Sequence, residues 1–236
     1  MTTKHENYKM HIRDVNKLKQ YTKAKFYYQQ TYYFMVEKWI EKELKKEYSE
    51  SFKQSISQNQ LICKEWLIEE LSNLTIPKNS EGKIDIEIIG GWFGFPLLDL
   101  LYDLYGAGIG KIDFYDKDPF CHKVVWQYLN WCHFPLKVNN YGDYFEREEK
   151  RRRQLIINTS QEHMDYISMD WLKGSPVFVL QSNDMTHLEE HTNCVSSEEE
   201  LVQKANINPV MYAGTKNLDN YNRFMVIGEN ASSSYR

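Results

Sequence analysis

The chain has 236 residues, 42% of them hydrophobic, which is enough for one large domain or two small ones and excludes a disordered tail. Its 29 Lys and Arg residues face 33 Asp and Glu residues, so it lacks the strong positive charge of a protein that wraps nucleic acid. Because its four cysteines are widely spaced and no apolar run is long enough to span a membrane, we expect a soluble cytoplasmic protein without a disulfide framework or a membrane partner.

The first part of the chain, residues 1–80, is predicted to be a helical N-terminal region. Apolar residues from Val15 to Leu74 recur at helical spacing, and the polar stretch 49–60 is predicted to interrupt the helices. Pro, Asn, Ser and Gly are concentrated in residues 76–83, which reads as a linker. We therefore place a domain boundary between residues 80 and 81.

Residues 17–34 interleave lysines with aromatic side chains. Cations beside exposed rings are typical of a surface that binds single-stranded nucleic acid. The same pattern also arises in a helix that packs an aromatic stripe and keeps its lysines in water. Both interpretations, a nucleic-acid contact and a packed helix, remain open for this segment.

Short apolar runs alternate with amphipathic stretches in residues 81–236, which is typical of a parallel sheet covered by helices. Two further runs, 209–214 and 222–228, are separated by so short a loop that they can pair only in antiparallel fashion. We therefore predict an α/β domain, a Rossmann-like doubly wound and mostly parallel sheet that ends in an antiparallel hairpin. The five parallel runs are residues 84–89, 111–116, 135–140, 154–158 and 176–181.

Local signals place two helix starts in this domain. Asp118 is a good N-cap residue and Pro119 suits the first helical position. Ser197 and Glu200 have the spacing of a capping box. The charged stretch 146–153 is predicted to be a solvated connection between a helix and a strand.

The first strand of the sheet domain continues into a glycine-rich turn. Gly90, Gly91 and Gly94 let the main chain turn tightly and approach a ligand, with helix N–H groups directed at it. Asp116 ends the second run 22 residues beyond Gly94, where an acidic side chain accepts hydrogen bonds from ribose hydroxyls. Together they predict a cofactor that contains a nucleoside; the alternative is a surface turn followed by a helix cap.

With this turn, Asp116, the pair Gly142-Asp143 and the terminal hairpin, the chain resembles the class I, seven-stranded S-adenosylmethionine-dependent methyltransferases. The resemblance implies that the turn adjoins the methionine part of S-adenosylmethionine, that Asp116 holds the ribose and that Asp143 contacts adenine. Ile88 and Trp92 depart from the family pattern, which has an acid and a glycine at those places. The cofactor-binding residues implied are Gly90, Gly91, Trp92, Gly94, Asp116 and Asp143.

The glycine turn and residues 158–164 are also similar to methyltransferase-like proteins of tailed bacteriophages, which implies the host cytoplasm as location. The fourth strand run delivers Asn158, Glu162 and His163 to the carboxyl edge of the sheet, where open α/β folds bind ligands. We predict that these three are catalytic: His163 takes a proton, Glu162 orients the imidazole or a substrate amine, and Asn158 holds the acceptor. The alternative is that Glu162 and His163 cap a helix or bridge loops.

A second polar cluster follows the fifth strand run. Asn183, His191 and Asn193 are predicted to bind the substrate at the mouth of the same cleft, although solvent-facing loop residues fit equally well. His187 and His191 match the reversed zinc-protease signature H-x-x-E-H, which requires a helix and a further ligand. Because this stretch reads as a loop, we predict no metal site.

The sequence thus predicts an S-adenosylmethionine-dependent methyltransferase whose acceptor, a small molecule or a nucleic acid, it does not identify, and whose oligomeric state it leaves open. The alternative is a non-catalytic module that keeps the fold and binds nucleic acid or protein. A dinucleotide-dependent oxidoreductase is disfavoured, because its second half should bring further βαβ units instead of a hairpin.

Overall fold

A computed structural model describes residues 33–43, 46–131, 135–146, 151–167 and 172–230. The predicted nucleic-acid surface lies outside the described residues except for residues 33–34. The described chain forms two compact units. One contains residues 33–43, 46–54 and 126–131, and the other contains residues 55–125 together with the described residues from 135 onward.

Six helices and seven sheet strands organise the described residues. The helices are α1 at residues 33–43, α2 Lys46–Ser55, α3 Gln58–Ser72, α4 Leu97–Tyr105, α5 Pro119–Trp131 and α6 Glu198–Ala205. The strands are β1 Ile84–Ile89, β2 Ile109–Tyr115, β3 Val138–Tyr141, β4 Leu155–Asn158, β5 Val177–Asn183, β6 Ile207–Asn217 and β7 Asn222–Asn230. Two short segments, Arg151–Arg152 and Leu172–Lys173, pair in parallel as a separate sheet.

Aromatic packing holds the smaller unit together. Tyr33 on α1 is buried, and its ring contacts Phe52 on α2 at a centroid distance of 6.4 Å and Tyr128 on α5 at 6.2 Å. The polar stretch 49–60 was predicted to interrupt the helices, but α2 runs through it as far as Ser55. The interruption is therefore present but confined to residues 56–57, between α2 and α3, because burial of Phe52 with Ser49 gives the preceding polar residues one inward face.

The larger unit is built on one sheet with the strand order β3-β2-β1-β4-β5-β7-β6. Strands β1 to β5 pair in parallel, while β7 is antiparallel to both β5 and β6. The predicted fold, a mostly parallel Rossmann-like sheet that ends in an antiparallel hairpin, is confirmed. The strand order reverses between β1 and β4, and in open α/β sheets ligands bind outside the carboxyl ends of the strands at such a switch point.

The apolar runs form the strands because the sheet is covered on both faces. All residues of β4 and β5 are buried, as are all residues of β1 except Asp85. Gly228 allows the hairpin to close, since a Cβ atom there would lie 2.4 Å from the main-chain oxygen of Pro209. The predicted helix starts are also present: Phe120 N donates to Asp118 at 2.8 Å, and Glu200 N donates to Ser197 at 3.2 Å.

Three charged side chains, those of Glu87, Asp113 and Arg153, are buried together on one face of the sheet. Arg153 pairs with Asp113 on β2 and lies 3.5 Å from a carboxylate oxygen of Glu87 on β1. Asn139 and Tyr144 also donate to these carboxylates, at 2.8 Å and 3.3 Å. The prediction that residues 146–153 form a solvated connection is therefore wrong for Arg153. This side chain is buried because the two buried acids require a cation. Among the described residues, no helix is long and apolar enough to cross a membrane.

Candidate active site at the sheet switch point

The glycine turn connects β1 to α4 at the carboxyl edge of the sheet. Gly91 N donates to the main-chain oxygen of Tyr115 at the end of β2, at 3.3 Å. A Cβ atom on Gly91 would lie 2.3 Å from the ring of Phe114, so a larger residue cannot occupy this position without a shift. The turn is therefore packed directly against β2.

Trp92 adopts a glycine-like backbone conformation in the middle of this turn. Its φ is 53°, in the left-handed region that favours glycine. The turn thus holds a residue with a large side chain in a conformation that glycine adopts more readily. The indole stacks on Phe93 at a centroid distance of 5.8 Å.

Asp116 follows β2 and binds the glycine turn through its side chain. One carboxylate oxygen accepts from Trp92 N at 2.7 Å, and the other accepts from Asp118 N at 3.0 Å. Burial raises the pKa of Asp116, whereas these two main-chain donors oppose the shift. The carboxylate is thus turned toward the glycine turn and joins it to the start of α5.

Asp143, predicted to contact adenine, lies just beyond β3. One of its oxygens accepts from Phe145 N at 3.0 Å, and the other pairs with Lys117 at 3.1 Å. Nearby, the rings of Tyr115 and Tyr141, at the ends of β2 and β3, stack at a centroid distance of 5.0 Å. Asp116 N donates to the main-chain oxygen of Tyr141 at 3.2 Å, so the ends of β2 and β3 are joined.

The loop after β4 is held in a fixed shape by Asn158. Its side-chain oxygen accepts from Ser160 N at 2.9 Å, and its amide group donates to Gln161 at 3.0 Å. Both polar atoms of Asn158 are therefore used within the loop. Ser160 in turn donates to the main-chain oxygen of Gly90 at 3.2 Å, which ties the loop to the glycine turn.

Glu162 is the centre of a buried polar network. Its Oε1 atom accepts from Arg223 on β7 at 2.7 Å and from Asn183 on β5 at 2.8 Å. The side chains of Glu162 and Arg223 are only 5% and 4% exposed. Arg223 also donates to the main-chain oxygen of Thr159, so it fixes the loop at two points. Burial alone would lower the pKa of Arg223, but the charge of Glu162 raises it.

His163 and His191 lie side by side next to this network. Their rings contact at a centroid distance of 4.5 Å in an edge-to-face arrangement. Asn183 accepts from the Nδ1 atom of His191 at 3.1 Å, and Asn193 donates through its side chain to the main-chain oxygen of Met164 at 3.0 Å. Burial and the charge of His163 lower the pKa of His191, which favours the neutral imidazole.

A cleft lies between the glycine turn and the loop after β4. This switch-point cleft has a cavity volume of about 80 Å³ and opens to solvent, and α3 and Arg223 complete its walls. Lys64 on α3 faces the cleft and donates to Gln60 at 3.1 Å. Burial and the charge of Arg223 lower the pKa of Lys64 from 10.5 to about 7.

Five of the predicted residues line this cleft: Gly90, Gly91, Trp92, Glu162 and His163. The other seven predicted residues do not line the cleft. They are Gly94, Asp116, Asp143, Asn158, Asn183, His191 and Asn193.

Sequence reasoning missed Lys64 and Arg223. The signal for Arg223 was a cation at the start of an otherwise apolar run, residues 222–228. The signal for Lys64 was a lysine in a helix whose residues 61–71 are mostly apolar. Neither signal says which pocket the charge serves, because that depends on contacts made across the sheet.

Comparison with known proteins supports the same architecture. Neither a protein-family model nor a curated protein matches the sequence. Among solved structures, the chain is similar to the N-methyltransferase NodS from Bradyrhizobium japonicum WM9 in complex with S-adenosyl-L-homocysteine, with 10% identity and a TM-score of 0.53. That match covers 76% of this chain and 91% of NodS.

A second NodS structure from the same organism matches with 11% identity, a TM-score of 0.51 and coverage of 75% of this chain and 98% of that one. A proposed sarcosine dimethylglycine methyltransferase from Galdieria sulphuraria matches with 10% identity, a TM-score of 0.52 and coverage of 72% and 86%. At such identities the likeness concerns the fold alone. Together with its strand order, these matches give the chain a Rossmann-like methyltransferase fold.

Proposed function

We propose that the protein is an S-adenosylmethionine-dependent methyltransferase. The observation that carries the proposal is the switch-point cleft, which runs from the glycine turn at the end of β1 to the polar loop after β4. This is the place where a Rossmann-like sheet binds its ligand. The structural neighbours add support, since one of them is a methyltransferase in complex with S-adenosyl-L-homocysteine.

The residues around the cleft fit this cofactor. The turn residues Gly90, Gly91 and Trp92 border the cleft, and the Asp116 carboxylate is fixed beside them by Trp92 N. Main-chain groups there suit the methionine part, and a carboxylate suits ribose hydroxyls. Asp143 would contact the adenine. When bound, S-adenosylmethionine supplies a methyl group on a sulfonium, which a nucleophile can displace.

At the other end of the cleft, His163 is the residue that we assign to proton removal. A carbonyl oxygen can only accept, so the contact between His163 Nδ1 and the main-chain oxygen of Glu190, at 3.2 Å, makes Nδ1 the donor. In the neutral ring, Nε2 then keeps its lone pair and can take a proton from the acceptor.

Glu162 and Asn158 support His163 by fixing the loop. The Oε1 atom of Glu162 is already occupied by Arg223 and Asn183, so we assign Glu162 to positioning and electrostatic stabilisation. Asn158 holds the loop conformation through Ser160 N and Gln161. Three further residues fix the position of this loop relative to β5. They are Asn183, which contacts Glu162, His191, which contacts Asn183, and Asn193, which contacts Met164.

The acceptor molecule is not part of this proposal. The similarity to methyltransferase-like proteins of tailed bacteriophages, and with it a location in the host cytoplasm, stays a prediction from the sequence. The alternative of a non-catalytic binding module is less favoured, because a module that only docks a partner has no need of an open cleft beside the glycine turn.

Binding calorimetry tests the proposal. We expect S-adenosylmethionine and S-adenosyl-L-homocysteine to bind with one site per chain, and NAD not to bind. Binding of NAD alone would point to an oxidoreductase, and absence of binding to all three would favour the non-catalytic module. Either result would overturn the proposal.

A further inference from the structure

Three potential metal ligands converge beside the switch-point cleft. Glu162, His163 and His191 each offer one ligand atom, and these atoms all lie within 4.8 Å of one another. We call these residues the Glu–His–His cluster. Glu162 and His163 come from the loop after β4, whereas His191 comes from the loop after β5, so the fold and not the local sequence brings them together.

Both imidazoles are oriented as metal-binding histidines usually are. His163 Nδ1 donates to the main-chain oxygen of Glu190 at 3.2 Å. His191 Nδ1 contacts Asn183 Oδ1 at 3.1 Å, and an amide oxygen can only accept. Each ring is therefore held in the tautomer whose Nε2 atom has a free lone pair, the arrangement in which a second hydrogen bond fixes a metal-binding histidine.

Glu162 supplies an independent indication of a missing partner. Its Oε1 atom accepts from Arg223 and Asn183, but its Oε2 atom is buried and has no hydrogen-bond partner among the described residues. The side chain is only 5% exposed. An unsatisfied buried carboxylate oxygen is costly, and a bound cation next to it would remove that cost.

We propose that the Glu–His–His cluster binds a divalent transition metal ion, with Zn²⁺ as the best match, in a state of the protein that excludes proton removal by His163, because the ion uses the same Nε2 lone pair. Two histidines and one glutamate are the protein ligands of known catalytic zinc sites, which keep a fourth position open. The sequence prediction of no metal site rested on the loop position of the H-x-x-E-H stretch. Within that stretch, His191 belongs to the cluster and Glu190 contributes only its main-chain oxygen, to His163.

The spacing of the ligand atoms and the charges around them determine how a metal ion would be held. Ligand atoms about 2.1 Å from a tetrahedral ion lie about 3.4 Å apart, so the distances between the ligand atoms of the cluster, 4.8 Å at most, must shorten by about 1.4 Å at most. Arg223 already neutralises Glu162. The charge of the metal ion is therefore compensated best when the fourth coordination position holds an anion, such as hydroxide.

Metal titration of the chelator-treated protein tests the proposal. Co²⁺ binding is followed by visible absorption, and Zn²⁺ binding by competition with a chromophoric chelator. We expect one ion per chain, and at least a tenfold loss of affinity in His163→Ala and His191→Ala. His187→Ala is the matched control, because His187 is exposed, belongs to the same H-x-x-E-H stretch and lies outside the cluster; its affinity should equal that of the wild type.

Three results would overturn the metal site: no binding of either ion, unchanged affinity in both cluster variants, or an equal loss in His187→Ala. Because Glu162→Gln also breaks the pair with Arg223, the two histidine variants carry the test, with circular dichroism to verify their fold. The titration uses no methyl donor, so its outcome is separate from that of the proposed methyl transfer.

Discussion

At the scale of single residues, Trp92 allows a direct test of the glycine turn. Its φ of 53° is unfavourable for every residue with a Cβ atom, by about 1–2 kcal/mol. Trp92→Gly and Trp92→Ala both remove the indole, but only the glycine variant loses this cost. We therefore expect Trp92→Gly to have the larger free energy of unfolding, by about 1 kcal/mol, in urea titrations.

At most positions the alanine variant would be the more stable of the two. Glycine normally lowers the free energy of unfolding because of its greater freedom in the unfolded chain. An alanine variant as stable as the glycine variant, or more so, would show that the turn does not require the left-handed conformation. The comparison needs no ligand and therefore concerns the turn itself.

Asp116 is the second residue whose role can be isolated. Its carboxylate accepts from Trp92 N, and in the proposed function it also accepts from the ribose. Asp116→Asn removes the charge and puts an amide group against main-chain donors. Since hydrogen bonds to charged groups contribute about 1.5–3 kcal/mol, we expect S-adenosyl-L-homocysteine to bind about 10–100-fold more weakly in calorimetry.

Asp118→Asn is the matched control for Asp116→Asn. Asp118 accepts from Phe120 N at the start of α5, and asparagine caps a helix about as well as aspartate does. Its affinity for S-adenosyl-L-homocysteine should stay within about twofold of the wild type. An equal loss in both variants would mean that net charge, and not a contact of Asp116, decides binding.

The residues that sequence analysis could find are those with local signals. Gly91 and Asp116 were identified because a turn after one strand and an acid after the next are fixed by the order of elements along the chain. Lys64 and Arg223 have no such signal, because their positions at the cleft depend on how α3 and β7 pack. The role of Asn183 behind Glu162 also depends on the pairing of β4 with β5.

At the scale of elements, α3 carries a buried lysine whose titration affects stability. The pKa of Lys64 is lowered from 10.5 to about 7 in the folded protein, with burial as the main cause. Between pH 7 and pH 10.5 the unfolded chain therefore binds a proton that the folded chain does not, so stability rises with pH in this window. Below pH 7, both states are protonated and the cost of burying the charge is fully present.

Lys64→Met removes this dependence. We expect the free energy of unfolding of the wild type, relative to this variant, to increase by about 2 kcal/mol between pH 7 and pH 9. Urea titrations of both proteins at the two pH values measure this difference. Parallel changes in the two proteins would contradict a lowered pKa, because every other titrating group is common to both.

The ion pair of Arg223 and Glu162 joins β7 to the loop after β4. Arg223→Met leaves the Glu162 carboxylate buried without its cation, which typically costs about 3–5 kcal/mol. We expect the double variant Arg223→Met/Glu162→Gln to recover part of this loss in a double-mutant cycle measured by urea titration.

Lys38→Met, which breaks the exposed pair of Lys38 with Glu41, serves as the control and should change stability little. If the double variant were no more stable than Arg223→Met alone, the pair would not be a coupled unit. The role of Arg223 would then lie in its bond to the main-chain oxygen of Thr159.

Periodicity predicted the sheet elements better than the helical ones. The run 84–89 became β1 and the run 154–158 became β4, because a strand buried on both faces is mostly apolar. The polar stretch 49–60 contains the helix break but overstates its length, which is residues 56–57, because a short helix needs only a few inward residues. Phe52 is enough to anchor α2, and its burial is set by contacts distant in sequence.

At the scale of the whole molecule, the alternation of runs was sufficient to predict the sheet, because few connections are compatible with it. Right-handed crossovers of the parallel runs and a closing hairpin restrict the topology strongly. The residues of the site could be predicted less completely than the sheet. The place of the switch point derives from the strand order, but the side chains that meet there come from loops after β4 and β5, whose paths no periodic pattern specifies.

The same topology leads to a prediction about global stability. A ligand that binds only the folded state stabilises it by about 2.7 kcal/mol at a concentration of 100 times its dissociation constant. The glycine turn and Asp116 join β1 to β2 in the middle of the sheet, so binding there is lost when the sheet unfolds. We therefore expect S-adenosyl-L-homocysteine to raise the thermal unfolding temperature in proportion to the logarithm of its concentration, while NAD leaves that temperature unchanged. Asp116→Asn should reduce the shift at a given concentration, and a shift of equal size with NAD would contradict the assignment of the cleft to S-adenosylmethionine.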